Sequence, residues 1–259
     1  MKQIFRDRKG KIVVDDVPVP ALDRGKVLVE VMYSVISSGT ESRSLLSTKE
    51  DFSQKLKNPL SVIRVVGKAS RKGLPSLYRN LKSKLSVLAP LGYSCAGKVI
   101  NVGDDVRDIA EGDLVACMSA EYAYHAEYLS IPRNLVVKIP QPVEMKDAAF
   151  TMIGCIALHA VRNVRVQLGE HVVVVGLGLI GQIVVQLLKL SGAKVYGIDT
   201  LPNRIALAKK LGLDEGIVLK PSYQLEDVMS WTQGTGADAV LVCTTNTQHD
   251  ILRKTAAVC

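Results

Sequence analysis

The chain has 259 residues, a formal charge of +8, and 47% hydrophobic but only 5% aromatic residues. That length allows one large or two modest domains, and the hydrophobic share is enough to bury a core. Arg6, Asp7, Arg8 and Lys9 interrupt any early apolar run, so no signal peptide is expected. The longest apolar stretch, Val172 to Gly181, is far short of the roughly 20 residues of a membrane-spanning helix, which points to a soluble, cytoplasmic protein.

Residues 3–6, 11–17 and 27–36 read as strands, the third alternating apolar and polar positions as a half-buried strand does. Val17-Pro18-Val19-Pro20 makes an extended connection. Ser37-Ser38-Gly39-Thr40 then breaks the pattern with small residues. A basic segment follows: ten basic and two acidic residues between Lys49 and Lys84 account for the whole net charge. Within it Leu74, Leu77, Leu81, Leu85 and Leu88 recur three or four apart, which predicts an amphipathic helix with Pro75 in its first turn. Strands resume over 95–102, 114–118, 128–131 and 135–139, with turns at Gly103-Asp104 and Gly112-Asp113. Pro140 and Pro142 close a mostly β first domain, residues 1–145.

Near Lys146 the pattern changes. Helices over 147–164, 178–191, 202–212, 222–233 and 247–258 alternate with strands over 171–176, 194–199, 216–219 and 237–243. Such alternation implies right-handed crossovers and a parallel sheet. Val172 to Val175 is a continuous apolar run, as a strand covered on both faces requires. The class is α/β. Four parallel strands, against about six in a complete doubly wound sheet, predict that the second domain, 146–259, is incomplete at its C-terminal end.

Gly176-Leu177-Gly178-Leu179-Ile180-Gly181 fits G-x-G-x-x-G between a buried strand and a helix, with Asp199 closing the next strand. Gly176 allows the tight turn, Gly178 the approach of a pyrophosphate, and Gly181 close helix–strand packing. The N–H groups of the helix start, at Leu179 and Ile180, favour phosphate. Asp199, followed by Thr200, suits the ribose hydroxyls of NAD and opposes the extra phosphate of NADP. Arg204 suits either that phosphate or solvent. Cys243 and Thr244 end the fourth strand and are candidates near the cofactor. An ordinary strand-to-helix turn is the competing account of the glycines.

These residues, with Ser37-Ser38-Gly39-Thr40-Glu41, Pro90 through Gly97 and His125-Ala126-Glu127-Tyr128, resemble the medium-chain dehydrogenases, in which a GroES-like β domain precedes a Rossmann domain. The nearest likeness is to bi-domain oxidoreductases of the zinc-binding, threonine-dehydrogenase-like kind. The resemblance implies a ligand Cys where this chain has Ser38, and a Gly-His-Glu motif where it has Gly92-Tyr93-Ser94. It implies a third ligand near Met152, counting back from His159-Ala160. With the structural-zinc cysteines also missing, no zinc is expected. Developing charge on a substrate oxygen then needs another donor. Thr40 falls on the family's proton-relay position, Tyr93 replaces the ligand His, and His125 offers an imidazole acid or base. Each has a plainer reading: a turn residue, a packing residue, a polar loop. His159 reads as a core or interface histidine.

The five cysteines have no short spacing, which excludes a disulfide framework, and four of them sit in apolar sequence as small buried side chains. Residues 43–90 form a helical insert in the first domain. Its charge suits an anionic sugar such as a nucleotide sugar, or peripheral contact with an anionic membrane. A solvated lid or dimer contact accounts for it equally well, and nucleic acid is not expected, since only Phe52 and Tyr78 offer stacking. The expected function is a zinc-independent, NAD-dependent oxidoreductase, homo-oligomeric, acting on a carbonyl or secondary alcohol, a sugar among the candidates. The alternatives are a zinc-free enone or quinone reductase and a non-catalytic NAD-binding module that docks through its insert.

Overall fold

The computed structural model describes residues 1–7, 10–37, 39, 88–219 and 226–244, in two compact units, Met1–Met152 and Ile153–Cys259. Ser38, Thr40, nearly all of the basic insert, and the helix expected over 247–258 lie outside the described residues.

The first unit holds two antiparallel sheets. One is ordered β2-β1-β4, from β1 (Lys2–Arg6), β2 (Ile12–Asp16) and β4 (Ala89–Pro90). The other is ordered β7-β3-β5-β6-β8, from β3 (Lys26–Ser34), β5 (Ser94–Val102), β6 (Leu114–Met118), β7 (Tyr128–Pro132) and β8 (Val136–Lys138). Alternation in β3 buries Val27 and Val29 against Val99, Val115, Leu129, Ile131 and Val136. Each such side chain contributes roughly 1.5–3 kcal/mol relative to exposure. The insert ends earlier than residue 90, because Phe5 and Arg6 pair with Pro90 and Ala89. Pro90 sits on an edge strand, where its missing N–H breaks no ladder.

The helix expected over 147–164 is two helices, α1 (Met145–Ala148) and α2 (Thr151–Val164). Met152 N–H, which a continuous helix would pair with Ala148, is given to the Ser94 hydroxyl, and the Thr151 hydroxyl takes the Ala148 carbonyl at 2.6 Å. Because α1 packs on β3, β5 and β6, the first unit extends past the change of pattern near Lys146. On α2 the buried face is Ile153, Ala157 and Val161. His159 and Cys155 are on the exposed face, which corrects the core readings of both, and His159 contacts Asn163 at 3.0 Å.

The second unit is a parallel sheet ordered β11-β10-β9-β12. In chain order it runs β9 (His171–Val175), α3 (Leu179–Leu190), β10 (Lys194–Asp199), α4 (Pro202–Lys210), β11 (Glu215–Val218), α5 (Glu226–Trp231) and β12 (Ala239–Val242). Val172 and Val174 face one core, with Val184, Leu188 and Ala208. Val173 and Val175 face the other, with Tyr196, Ile198 and Val228. That period of two explains the unbroken valine run: both faces are covered. From β9 the chain builds outward through β10 and β11, then returns to place β12 on the other side of β9. The order reverses beside the carboxyl end of β9, where doubly wound sheets bind ligands.

Candidate functional site

The glycine turn lies at that reversal. Gly176 has φ +93°, a left-handed conformation that favours glycine, and a Cβ there would meet Cys243 and Thr244 at 3.0 Å. At Gly181 a Cβ would lie 2.0 Å from the Gly176 carbonyl oxygen, so α3 rests directly on the turn. Above Gly178 there is open space: a Cβ would meet nothing within 4 Å. Gly178 is also the N-cap of α3 and has no side chain to cap it. The first N–H groups of the helix, from Leu179 onward, lack intrahelical acceptors and lie beside that opening, together with the positive end of the helix dipole. This shape fits a dinucleotide pyrophosphate.

Asp199 ends β10 and is 5% exposed. One carboxylate oxygen accepts the Leu177 N–H at 2.7 Å, and the other accepts Leu201 N–H at 2.9 Å. The Arg204 guanidinium reaches the same carboxylate at 3.4 Å. Arg204 thus stands beside Asp199 while its side chain is still 43% exposed. Thr200 is exposed just beyond the strand. Cys243, half-buried, donates its N–H to Val175 O at 2.7 Å, and burial pushes its thiol up to about 11, so it stays protonated at neutral pH. Gln182 is the residue the sequence reading passed over. Its signal was a polar side chain on the apolar face of α3, and its amide reaches both Leu177 and Arg204.

The first unit carries the other candidates. Tyr93 is buried at the bend before β5. Gly92, at φ +105°, lets this bend touch the Tyr124–His125 backbone: a Cβ there would lie 2.5 Å from His125 N. His125 donates its N–H to Leu91 O and accepts Ile4 N–H, both at 2.8 Å, so its backbone stitches β1 to the bend. Its buried imidazole meets the Ser34 hydroxyl at 2.9 Å through Nδ1. The Tyr93 bend and the His125 loop are thus brought together, while Thr40 lies outside the described residues.

Among the described residues, Tyr93, Ser94 and Met152 stand where the resemblance implies His, Glu and a third ligand, and none of the three is an ordinary zinc ligand. Ser94, fully buried, donates to the Ala149 carbonyl at 2.5 Å and accepts from Met152 N–H at 3.3 Å, so its hydroxyl is used. Among the described residues no three His, Cys, Asp or Glu side chains gather into a metal-binding group. Cys95 and Cys117 face each other across β5 and β6, fully buried and free. The hydrogen bond to Cys117, with burial, holds the Cys95 thiol well above its usual range.

Residues 180–256 match the family model described as zinc-binding dehydrogenase. D-guloside 3-dehydrogenase from Shigella flexneri is 33% identical over 152 residues, covering 58% of this chain and 43% of that protein. NAD-dependent alcohol dehydrogenase from Sulfurisphaera tokodaii is 28% identical over 180 residues, covering 58% of this chain and 52% of that protein. The chain spans about half the length of these curated relatives. Alcohol dehydrogenase TADH from Thermus sp. ATN1 superimposes with a TM-score of 0.75 at 21% identity, covering 100% of this chain and 74% of that one. The fold is that of these alcohol dehydrogenases, and the resemblance to the medium-chain dehydrogenases read from the sequence is borne out at that level. Among the described residues no helix is long and apolar enough to cross a membrane.

Proposed function

We propose that the protein is an NAD-dependent oxidoreductase, working without zinc, that moves a hydride between the nicotinamide and a carbonyl or secondary alcohol of a sugar. The observation that carries this reading is the open space above Gly178 at the start of α3, with the Asp199 carboxylate held beside it through Leu177. When bound, the nicotinamide supplies or takes the hydride. The chain's own residues do the rest. Amides of the α3 first turn hold the pyrophosphate, and Asp199 turns its remaining lone pairs to the ribose hydroxyls. Arg204, tied to Asp199, leaves the ribose pocket with little free positive charge for a 2′-phosphate, which favours NAD over NADP. Tyr93 and Thr40 donate hydrogen bonds to the substrate oxygen and His125 manages its proton, so charge on that oxygen is stabilised without a Lewis acid.

A sugar substrate is supported by the D-guloside named for one relative, and an anionic sugar by the charge of the insert between Lys49 and Lys84. A cytoplasmic homo-oligomer is part of the same reading. Titration with NADH and NADPH, followed by a turnover screen over sugars and secondary alcohols, tests it. The expected result is tighter binding of NADH than of NADPH, with sugar oxidation yielding NADH. Preference for NADPH, or no dinucleotide binding, would overturn it.

A further inference from the structure

Gln182 closes a ring of contacts behind the glycine turn. It is 8% exposed, one turn into α3, among Val184, Val185 and Leu188. Its Nε2 donates to the Leu177 carbonyl and to the Arg204 carbonyl, both at 3.0 Å. The Leu177 N–H in turn donates to Asp199, which holds the Arg204 guanidinium. Leu177, the last residue before Gly178, is thereby gripped at the peptide groups on both sides: its N–H by Asp199 and its C=O by Gln182. Oε1 of Gln182 is buried with no partner. A purely apolar side chain of that size would fill the volume without an orphaned acceptor, so packing alone does not account for an amide here.

We propose that Gln182 is a positioning residue for the dinucleotide, locking the glycine turn to the start of α4 so that Arg204 stays on Asp199 and the pocket prefers NADH. The inference rests on the cofactor reading above and adds a residue that touches no part of the cofactor. Without the Nε2 donors, the Leu177 carbonyl and the first turn of α4 lose their shared tether. The amides at Gly178 shift from the pyrophosphate, and Arg204 is freed to meet a 2′-phosphate.

The test is fluorescence titration of the full chain and its Gln182→Met variant with NADH and NADPH. Methionine keeps the length and removes both donors. The variant binds NADH about tenfold more weakly, the loss of roughly one hydrogen bond's stabilisation, while NADPH changes less and the NADH/NADPH ratio falls. With a turnover substrate, KM for NAD rises and kcat at saturation holds. A structural role alone would lower the melting temperature without moving that ratio. Gln182→His, which keeps one ring donor, serves where the methionine variant does not fold, with a smaller fall in the NADH/NADPH ratio expected. Parent-like ratios in a folded variant would overturn the role of Gln182 and leave the cofactor reading standing. Failure of the parent to bind either dinucleotide overturns both.

Discussion

Ser94, where the zinc-type motif has a Glu, and Met152, near which the resemblance implies a third ligand, are joined by a hydrogen bond: the serine hydroxyl accepts Met152 N–H at 3.3 Å. The same hydroxyl donates to the Ala149 carbonyl at 2.5 Å. A side chain that would otherwise support a metal instead fastens the start of β5 to the break between α1 and α2. Its chemistry is neutral. The hydroxyl has one proton and two lone pairs, and the two contacts use the proton and one of the pairs.

Replacing the fully buried Ser94 with Ala strips the buried Ala149 carbonyl and the half-buried Met152 N–H of their partner. Each orphaned backbone group costs about 1–3 kcal/mol. Thermal unfolding of the Ser94→Ala variant is expected at a clearly lower temperature, with dinucleotide affinity unchanged because the glycine turn belongs to the other unit. An unchanged melting temperature would contradict the fastening role.

Chelation separates the zinc-free reading from its opposite. Prolonged treatment with a strong zinc chelator is expected to leave NADH affinity and turnover intact, and metal analysis of the purified protein is expected to find far less than one zinc per chain. Activity lost to the chelator and restored by added zinc would require donors other than Tyr93, Ser94 and Met152.

The glycines of the turn are predicted to fail in different ways. A methyl at Gly181 collides with the Gly176 carbonyl, at 2.0 Å, so Gly181→Ala destabilises the second unit whether or not cofactor is present. A methyl at Gly178 meets open space, so Gly178→Ala folds nearly as well as the parent and loses NADH instead. Melting temperature and NADH titration, measured on both variants, read the two effects apart. Equal losses of stability would mean that the space above Gly178 is not a ligand site.

Much of this was legible in the residue pattern, because it depends on short-range rules. The valine run of β9, the glycine spacing and the acid ending β10 each carry their meaning within a few residues. What escaped notice depends on partners distant in sequence. The break after α1 is set by Ser94, more than fifty residues away. Cys95 and Cys117 become neighbours only through the register of β5 and β6. That Arg204 comes within 3.4 Å of the Asp199 carboxylate is likewise not visible in the residues around either. Nothing in the sequence around Gln182 shows that the carbonyls of Leu177 and Arg204 lie at its amide.

Acid stability offers an independent check on the first unit. Asp113 accepts hydrogen bonds from Lys138 Nζ at 2.7 Å and Ala110 N–H at 2.8 Å. The Lys138 hydrogen bond first, and the Ala110 amide next, hold its carboxyl below the ordinary value. A depressed folded value stabilises the fold above the unfolded pKa of about 4, and that stability is lost as pH falls through the folded value. Asp113→Asn is therefore expected to melt below the parent at pH 7, with the gap closing as pH drops below about 4. A gap that persists at low pH would assign the effect to packing.

Asp199 is predicted to serve both fold and specificity, and one substitution separates the two. In Asp199→Ala the Leu177 and Leu201 N–H groups lose their acceptor, and Leu177 is fully buried. The second unit should lose about 1–3 kcal/mol for that buried donor. Arg204 loses its carboxylate as well and becomes available to a 2′-phosphate. NADH affinity is then expected to fall by about tenfold or more, since two ribose hydroxyls lose a charged acceptor, while NADPH affinity falls less or rises. Adding Arg204→Ala to the variant should remove whatever NADPH gained and leave NADH little changed. If the NADH/NADPH ratio stays at its parental value in Asp199→Ala, the carboxylate only braces the turn, and preference for NAD must come from residues elsewhere.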